Sequence, residues 1–391
     1  MDYKNVLDYY KSKRVFITGN TGFKGAWLTQ ILLGAGAYVT GYSLEPPTNP
    51  NLFHSLSLEK NSSLKQYYAD VRDLGSLKDA VATAKPDVVF HLAAQPIVLE
   101  SYKNPVDTYS TNVMGTVNIC ECVRLSHILA SEGGLRAEDS QDEWQGVESF
   151  LNVTTDKVYK NREWEYGYRE DDPLDGFDPY SNSKSCSEMV THSYTNAFFK
   201  NMSVAVSTAR AGNVIGGGDY ADNRIIPDCL RTAEKAKKMG MAEGVIDVRN
   251  PFSTRPYQHV LEPLFTYLLI AKAQNENREL ADYYNVGPND TDCITTGELV
   301  SIFCNEWNKQ KTDNNPVLKW NCAEVPNAPH EANFLKLDCS RLKQKFGWAP
   351  QWGIQKTIEE TVRFMTAWMT GGNIIEEVNR EIEEFISAKM L

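Results

Sequence analysis

The chain has 391 residues, 42% of them hydrophobic and 23% charged, which is the balance of a folded protein with one large core or two domains. Its net charge of -11 and the lack of long Lys or Arg runs argue against nucleic acid and anionic membranes as general partners, while a few local arginines leave room for a small anionic substrate. No apolar stretch approaches the ~20 residues of a membrane span and the first residues are charged, so we expect a cytoplasmic protein.

In chain order, the first half alternates short β-branched runs with longer segments of helical periodicity. Buried strands are predicted at residues 14–19, 37–43, 64–70, 87–93 and 149–155. Helices are predicted between them, and a helix over 180–199 and a strand over 203–214 follow. This alternation predicts a doubly wound parallel sheet, the Rossmann type of α/β fold.

After about residue 213 the pattern loosens, and we predict a smaller C-terminal lobe over the carboxyl edge of the sheet. The expected domains are an NAD-binding Rossmann domain at 13–212, with a later return near 256–290, and a substrate-binding lobe at 213–391. The polar segment 126–148 is predicted to be a surface excursion. The eight cysteines lack Cys-x-x-Cys spacing, so we expect reduced thiols and no metal site.

A glycine-rich turn, GNTGFKG at residues 19–25, follows the first predicted strand and opens a helix. The G-x-x-G-x-x-G spacing permits a tight turn and a close backbone approach to a pyrophosphate at the helix N-terminus. A plain strand–helix turn also uses glycines, but the place of this turn in the first βα unit favours a dinucleotide. The predicted cofactor contacts here are Gly19, Thr21, Gly22, Phe23 and Gly25.

Two residues near the end of the second strand compete for the role of ribose ligand. Glu45 follows Gly25 at about the spacing expected for a ribose-binding acid, while Ser43 ends the strand and can serve instead. No Lys or Arg occurs between Lys24 and Lys60, so NAD is favoured over NADP, although Lys24 itself leaves NADP open.

The ends of the third and fourth strands are expected to complete the cofactor site. Asp70 and Val71 are placed to hold the adenine. Ala93 and Ala94 have side chains small enough for the backbone to touch the cofactor, although tight packing alone would also explain them.

The segment YSNSK, residues 180–184, places Tyr180 and Lys184 four residues apart at the start of a helix, on one helix face. An ammonium near a phenol favours the phenolate, so we predict that Lys184 lowers the pKa of Tyr180 and makes it a base for a hydroxyl proton. The spacing alone is a weak signal. The neighbouring TTDK motif, which ends in Asp156 and Lys157, strengthens it because both charged groups are costly to bury.

Together these motifs resemble the extended short-chain dehydrogenase/reductases and, within them, the nucleotide-sugar 4,6-dehydratases, above all the CDP-glucose branch. The resemblance covers roughly residues 13–370. It is carried by VFITGNTGFKGAWL, HLAAQPIV, TYSTNVMGT, TTDKVYKNREWEYGYRE, DPYSNSK, RAGNVIGGGDYADNRIIPD and RNPFSTRPYQHVLEP.

The resemblance implies an NAD-dependent lyase of deoxysugar biosynthesis that dehydrates a nucleotide-activated hexose, CDP-glucose above all. Sugar C4 is oxidised, water is lost across C5 and C6, and the hydride returns to C6. By position, Tyr180 is the base for the C4 hydroxyl, and Thr155 hydrogen-bonds the C4 oxygen. Lys184 binds the nicotinamide ribose, and Asp156 protonates the C6 hydroxyl.

Lys157 departs from the related dTDP-glucose enzymes, in which a Glu at this position is the C5 base. Either a lowered pKa makes Lys157 the base, which we favour, or it stays charged and stabilises the enolate while another group takes the proton. A salt bridge to Asp156 without catalytic role is the least expected option, because neighbouring strand residues point to opposite faces unless the strand bends or ends.

The resemblance also implies a pyrophosphate site and a homodimer, or a tetramer, built on helices near 104–125 and 180–199. Asn213 and Arg255 lie in segments that contact the substrate pyrophosphate in that family, and Arg suits this role because it binds phosphate oxygens bidentately. Further substrate contacts are predicted at Asn112, Arg224 and His259, with a core role equally open for His259.

Other functions stay open on the sequence alone. A 4-epimerase shares the Tyr and Lys but needs no acid and base after the Thr, and a dehydratase could use a dTDP-, GDP- or UDP-sugar. A silent NAD-binding regulator on the same fold would be expected to lack one of Thr155, Tyr180 and Lys184, and all three are present.

Overall fold

The computed structural model describes residues 1–133, 144–312, 314–323 and 334–388. Its strands are β1 Arg14–Thr18, β2 Tyr38–Ser43, β3 Leu64–Tyr68, β4 Val88–His91, β5 Ser149–Thr155, β6 Ala205–Ala211, β7 Asn213–Ile215, β8 Glu243–Val248, β9 Thr254–His259, β10 Tyr283–Val286, β11 Cys293–Thr295 and β12 Val317–Cys322. Its helices are α1 Tyr3–Tyr10, α2 Phe23–Gly34, α3 Leu52–Ser55, α4 Leu74–Ala84, α5 Val98–Lys103, α6 Pro105–Tyr109, α7 Gly115–Gly133, α8 Pro179–Ala197, α9 Ile225–Lys238, α10 Leu261–Glu276, α11 Thr296–Gln310, α12 Ser340–Phe346, α13 Ile354–Met369 and α14 Ile374–Ser387.

The central sheet has seven parallel strands in the order β10-β6-β5-β4-β1-β2-β3. All seven residues of β5 are buried, as expected for a strand covered on both faces. The strand order reverses between β1 and β4, which opens a crevice at their carboxyl ends. The predicted doubly wound parallel fold is confirmed.

Two separate apolar layers cover this sheet. One contains side chains of α1, α2 and α10, including Tyr3, Trp27 and Leu268. The other contains side chains of α4 and α7, including Leu77 and Ile119. The α8 helix packs against α7, so it lies on the face opposite to α2 and α10.

The smaller lobe contains a three-stranded sheet, β11-β9-β7, and the pair β12-β8. Its own core includes Ile226, Trp307 and Ile358. The chain returns to the main sheet through α10 and β10, within the predicted return near 256–290. The α14 helix, although part of the predicted lobe, packs on the Rossmann unit, because Phe385 stacks on Phe265 with 5.1 Å between ring centroids.

One contact joins the cofactor-side helix α2 directly to the lobe. The indole Nε1 of Trp27 donates to the carbonyl oxygen of Gly217 at 2.9 Å. Gly217 in turn lies so close to α13 that a Cβ there would be 2.0 Å from Cγ of Phe364. The loop that follows β7 is therefore held on both sides.

The predicted surface excursion at 126–148 is partly wrong. The α7 helix continues to Gly133, and Ser126 is fully buried and accepts a hydrogen bond from the amide of Val147. Residues 134–143 lie outside the described part of the chain. The extension of α7 was not predicted because its last turns are amphipathic, and their many polar residues are typical of a surface loop. None of the described helices is long and apolar enough to cross a membrane.

Candidate active site

The glycine turn is packed so tightly that two of its positions admit no side chain. Gly19 has φ +77°, and a Cβ there would lie 2.7 Å from the amide nitrogen of Ala93. A Cβ on Gly25 would lie 2.1 Å from the Gly19 carbonyl oxygen. Gly22 begins α2 with no side-chain cap among the described residues, so the first amides of the helix are free for an anion.

Ser43, rather than Glu45, is the residue that the fold brings to the glycine turn. The amide and hydroxyl of Thr21 donate to Ser43 Oγ at 3.4 and 3.1 Å, whereas Glu45 is exposed. Lys24, which left NADP open in the sequence, does not turn toward this strand end. Its Nζ lies 5.9 Å from the ring centroid of Tyr267 in α10, so it is not placed to bind a 2′-phosphate there.

The predicted adenine residues lie at the outer end of the same edge. The carboxylate of Asp70 accepts from Arg72 Nε at 2.9 Å, and this bond lowers the pKa of Asp70. Val71 is buried against α7, since a Cβ on Gly115 would lie 2.7 Å from its Cγ1. Ala93 approaches Gly19 through its backbone, and Ala94 follows it on the same loop.

β5 ends at Thr155, and the next three residues form a short 3₁₀ turn, Asp156–Val158. The Thr155 hydroxyl donates to Asp156 Oδ1 at 2.8 Å, and Lys157 Nζ donates to the same oxygen at 3.0 Å. Lys157 Nζ also donates to Asn213 Oδ1 at 3.0 Å. Asp156 is fully buried, and among the described residues nothing donates to its second oxygen, Oδ2.

The argument against an Asp156–Lys157 ion pair was wrong. Strand alternation does not apply, because the strand stops one residue earlier and the turn brings both side chains to one side. Two other lysines of the site have altered pKa values. Burial lowers the pKa of Lys24 to about 7 and that of Lys184 to about 8.

The predicted effect of Lys184 on Tyr180 is also corrected. Burial raises the pKa of Tyr180 to about 12, and the groups that lower it are the Thr155 hydroxyl and Arg224. Lys184 is not among the groups that chiefly set this pKa, and its Nζ donates to the carbonyl oxygen of Val153 at 3.2 Å. The i, i+4 spacing placed both residues on one helix face but could not tell where the long lysine chain would turn.

A buried polar network behind the site was missed by sequence reasoning. Glu188, one turn after Lys184 in α8, accepts hydrogen bonds from the hydroxyls of Thr154 and Thr208 and pairs with Arg210 at 3.0 Å. Glu188 also raises the pKa of Lys184 by its charge. The only signal in the sequence was an acid four residues after Lys184 on the same helix.

The predicted phosphate ligands lie on the lobe side of the cleft. Arg255 in β9 is nearly buried, and its Nη1 donates to the backbone oxygen of Thr254 at 3.0 Å. Arg224 pairs with Asp219 at 3.0 Å and acts by charge on Tyr180, so it lies nearer the chemistry than a pyrophosphate role suggests. Asn213 is held by Lys157, as described above.

The structure does not place Asn112 or His259 as substrate contacts. Asn112 is 1% exposed and bonds to both backbone groups of Gln95 and to Ser183, so it joins the loop after β4 to α8. His259 is fully buried, with Nε2 3.3 Å from Glu381 Oε2, and burial lowers its pKa to about 3. A residue type at a matching position cannot reveal that its polar atoms face inward.

The comparisons with known proteins agree with this geometry. The family model for GDP-mannose 4,6 dehydratase matches residues 16–361. The chain belongs to the GDP-mannose 4,6-dehydratase family. A curated relative, the CDP-glucose 4,6-dehydratase of Salmonella typhimurium, is 41% identical over 97% of this chain and 98% of its own length. The dTDP-glucose 4,6-dehydratase of Haemophilus influenzae is 23% identical over 90% of this chain and 97% of its own.

Solved structures share the fold of this family member. An epimerase from Methanothermobacter thermautotrophicus matches with a TM-score of 0.72 at 20% identity, over 94% of this chain and 96% of its own. A dTDP-glucose 4,6-dehydratase from Bacillus anthracis in complex with NAD matches with a TM-score of 0.67 at 18% identity, over 90% of this chain and 96% of its own. The predicted membership of the nucleotide-sugar 4,6-dehydratases is confirmed.

Proposed function

We propose that the protein converts CDP-D-glucose to CDP-4-dehydro-6-deoxy-D-glucose, as a hydro-lyase. The observation that carries this proposal is the pair of buried Asp156 and partly exposed Lys157, 3.0 Å apart beside Thr155 and Tyr180. A simple oxidation or epimerisation does not need this acid and base. The choice of CDP-glucose rests on the relative of that activity, whose 41% identity spans 97% of this chain.

The residues of the glycine turn fit NAD. We infer that the free amides at the start of α2 hold the pyrophosphate, with Gly19 and Gly25 admitting the backbone approach and Ser43 near the ribose. Asp70 and Val71 are assigned to the adenine and Lys184 to the nicotinamide ribose. When bound, NAD supplies the oxidant for C4 and returns the hydride to C6, so it is unchanged over the cycle.

Tyr180 is the base that we assign to the C4 hydroxyl. Its phenol is buried, which opposes ionisation, but Thr155 and Arg224 both favour the phenolate. The Thr155 hydroxyl is also placed to hydrogen-bond the C4 oxygen and fix the sugar over the crevice. Lys184 is positioned by its hydrogen bond to the carbonyl oxygen of Val153, and the negative charge of Glu188 raises its pKa.

Asp156 and Lys157 serve as the acid and the base of the elimination. Moving one proton across their 3.0 Å contact turns the ion pair into a carboxylic acid and a neutral amine. Exclusion of water by the bound sugar favours this neutral form, because a charged pair loses more solvation than a neutral one. Lys157 then takes the C5 proton while the carboxylic acid of Asp156 gives the proton that it received to the departing C6 hydroxyl, and the ion pair is restored.

The nucleotide end of the substrate is assigned to the lobe. Arg255 and Asn213 lie in β9 and β7, which pair with each other, and Arg255 is the cation we assign to the pyrophosphate. Arg224 is assigned to the sugar side, because its charge acts on Tyr180.

We also propose a cytoplasmic homodimer. An exposed apolar patch lies on α6, on the turn that joins α6 to α7, and on α8, with Val106 81%, Met114 49% and Met189 51% exposed. Such a patch on helices that face away from the sheet suits a partner with the same surface. All eight cysteines are free thiols, including the exposed Cys322, as suits a reducing compartment.

The test is turnover on a panel of CDP-, dTDP-, GDP- and UDP-glucose with NAD, read as the alkaline absorbance of a 4-keto-6-deoxy sugar and by mass loss of one water. We expect CDP-glucose to react with a kcat/KM at least ~100-fold above the others, since pocket contacts to the base decide specificity. If another nucleotide sugar reacts preferentially, the proposed substrate is wrong. If the product has the same mass as the substrate, the proposed reaction is wrong.

The second candidate, a nucleotide-sugar 4-epimerase, has the support of curated UDP-glucose 4-epimerases, one of which is 25% identical over 70% of this chain. The buried Asp156 disfavours it, because an epimerase returns the hydride to C4 and needs no acid at C6. The same mass measurement separates the two, since epimerisation leaves the mass unchanged.

A further inference from the structure

Lys24 is a charged residue of the crevice that the reaction above does not use. It is the second residue of α2, inside the glycine turn, and its Nζ lies 5.9 Å from the ring centroid of Tyr267. Tyr267 is fully buried in α10 and is coupled by charge to Tyr180. The amine of partly buried Lys24 therefore lies on the side of the crevice that holds α10 and the chemical site.

The charges around Lys24 come from every side of the crevice. Burial lowers its pKa most, repulsion by Lys184 and Arg224 adds to this, and Asp156 opposes it, so that the pKa of Lys24 is about 7. These groups belong to α8, to the residue before α9 and to the turn after β5, while α10 contributes the neutral ring of Tyr267.

The two sheet faces place Lys24 and Lys184 on opposite sides of the crevice. Lys24 belongs to α2, in the same apolar layer as α10, whereas Lys184 belongs to α8, which packs on α7 across the sheet. The space between the glycine turn and Tyr180 is thus reached by one amine from each face. The nicotinamide end of a dinucleotide held by this turn belongs in that space.

We propose that Lys24 sets the charge of the cofactor site: its amine is neutral beside oxidised nicotinamide and takes up one proton from solvent when the cofactor is reduced. This inference rests on the proposed use of NAD. The reason is Coulombic, because the oxidised ring is a cation and repels an ammonium, whereas the reduced ring is neutral. A proton on Lys24 therefore favours the reduced cofactor while the sugar is in its keto form.

The first experiment measures the proton affinity of Lys24 directly in the wild-type protein. Competitive acetylation with acetic anhydride between pH 6 and 10, read by peptide mass spectrometry, gives the midpoint for each lysine. We expect the Lys24 midpoint to lie at least about one pH unit higher with NADH than with NAD, a tenfold change in proton affinity. Equal midpoints in the two redox states overturn the proposal.

The second experiment compares cofactor affinities and needs no sugar. The ratio of the Kd of NAD to the Kd of NADH is measured by fluorescence at pH 6 and pH 8 for wild type, Lys24→Met and Lys24→Arg. In wild type we expect the ratio to fall about tenfold from pH 6 to pH 8, because the cation that favours NADH is lost. In Lys24→Met, which has no cation at this position, the ratio of Kd values should stay low at both pH values. In Lys24→Arg, which stays charged, it should stay high at both.

The matched control is Lys13→Met. Lys13 also lies over a tyrosine ring, 5.4 Å from the Tyr9 centroid, but at the amino end of β1, opposite to the crevice. Lys13→Met should show the same pH dependence of the Kd ratio as wild type. If Lys24→Met keeps the wild-type pH dependence while binding NAD, this inference is wrong and the proposed function stands; if wild type binds neither cofactor, both are wrong. If Lys24→Met does not fold, the acetylation experiment on the wild-type protein still tests the proposal.

Discussion

The contact between Asp156 and Lys157 is the smallest unit on which the reaction depends. One hydrogen bond of 3.0 Å joins the two groups, and the second oxygen of Asp156 is left without a partner among the described residues. An unpaired buried carboxylate oxygen costs free energy in a protein at rest. Its presence here is explained if a substrate hydroxyl supplies the missing donor.

Replacing Lys157 separates the oxidation from the elimination. We expect Lys157→Met to oxidise C4 and accumulate reduced cofactor at 340 nm, but to lose roughly 10²–10⁴-fold in turnover because the C5 base is gone. Incubation in deuterium oxide should leave C5 without label, as read by mass spectrometry of the recovered sugar.

The matched variant is Asp156→Asn, which keeps the shape of the acid and leaves Lys157 in place. It should oxidise C4 but release no water, and because Asn cannot accept the lysine proton it should also slow the exchange of deuterium into C5. Undiminished exchange in Lys157→Met would assign the C5 proton to another group, and Lys157 would then act only as a cation beside the enolate.

At the scale of residues, the candidate site could be predicted from the sequence where a motif determines both the type and the position of a residue. The turn after β5 and the Tyr180–Lys184 pair lie together at the crevice as predicted. Prediction failed where only orientation decides the role. Asn112 and His259 have suitable side chains, but their polar atoms are engaged inside the protein, which depends on contacts with distant parts of the chain.

At the scale of elements, β5, β6 and α8 are joined by the buried pair of Arg210 and Glu188. Both side chains are almost fully buried, and Glu188 also accepts from two threonines. We expect Arg210→Met to lower the free energy of unfolding by ~3–5 kcal/mol, because it leaves a buried carboxylate without its cation. Urea denaturation followed by circular dichroism measures the loss.

The control is Arg169→Met, which removes an exposed pair with Asp338 and should cost ~0–1 kcal/mol. A similar small loss for Arg210→Met would mean that Glu188 takes up a proton and stays buried as a neutral acid.

The start of α10 is tied to the segment before α13 by one carboxyl group with an altered pKa. Glu262 Oε1 accepts from the amides of Gln351 and Trp352 at 2.8 and 2.7 Å, and burial raises its pKa to about 8. Because the folded pKa exceeds the unfolded value of about 4.3, the contribution of Glu262 is fully present below pH 4 and is lost as the pH rises through 8.

We expect Glu262→Gln to remove this loss, since the amide keeps the accepting oxygen and cannot ionise. At pH 9 the variant should be more stable than wild type by ~1–3 kcal/mol, with a smaller difference at pH 6. Chemical denaturation at both pH values is the measurement, with the exposed Glu279→Gln as control. Parallel pH dependence of Glu262→Gln and wild type would contradict the assignment.

Most elements could be predicted because buried parallel strands are continuous apolar runs and amphipathic helices have a clear period. β1 to β6 each lie inside a predicted run. The end of α7 was missed because its last turns are polar, and the docking of α14 on the Rossmann unit was missed because periodicity says which face is apolar but not what covers it.

At the scale of the whole molecule, the exposed apolar patch on α6, on the turn that joins α6 to α7, and on α8 is the surface that we assign to contact with a second copy. Val113, Met114 and Cys186 surround the exposed Val106 in an apolar hollow. We expect Val106→Asp to raise the dimer dissociation constant by roughly 30-fold or more, because it buries an unpaired charge. Sedimentation equilibrium measures this constant.

Phe252→Asp serves as the control, since Phe252 is equally exposed, at 81%, but lies in the lobe away from these helices. It should leave the association unchanged. A wild-type protein that sediments as a monomer, or a Val106→Asp variant that associates as wild type does, would assign the contact to another surface.

The indole bond from Trp27 to the Gly217 carbonyl has a kinetic meaning. Because this bond fixes the first half of α2, where we propose that the dinucleotide binds, to the loop after β7, we expect it to slow the opening of the crevice and the release of the coenzyme. In an ordinary dehydrogenase, which releases its coenzyme after each catalytic event, such a contact would lower turnover. An enzyme that returns the hydride to the same sugar need not release its coenzyme, so slow release carries no such penalty.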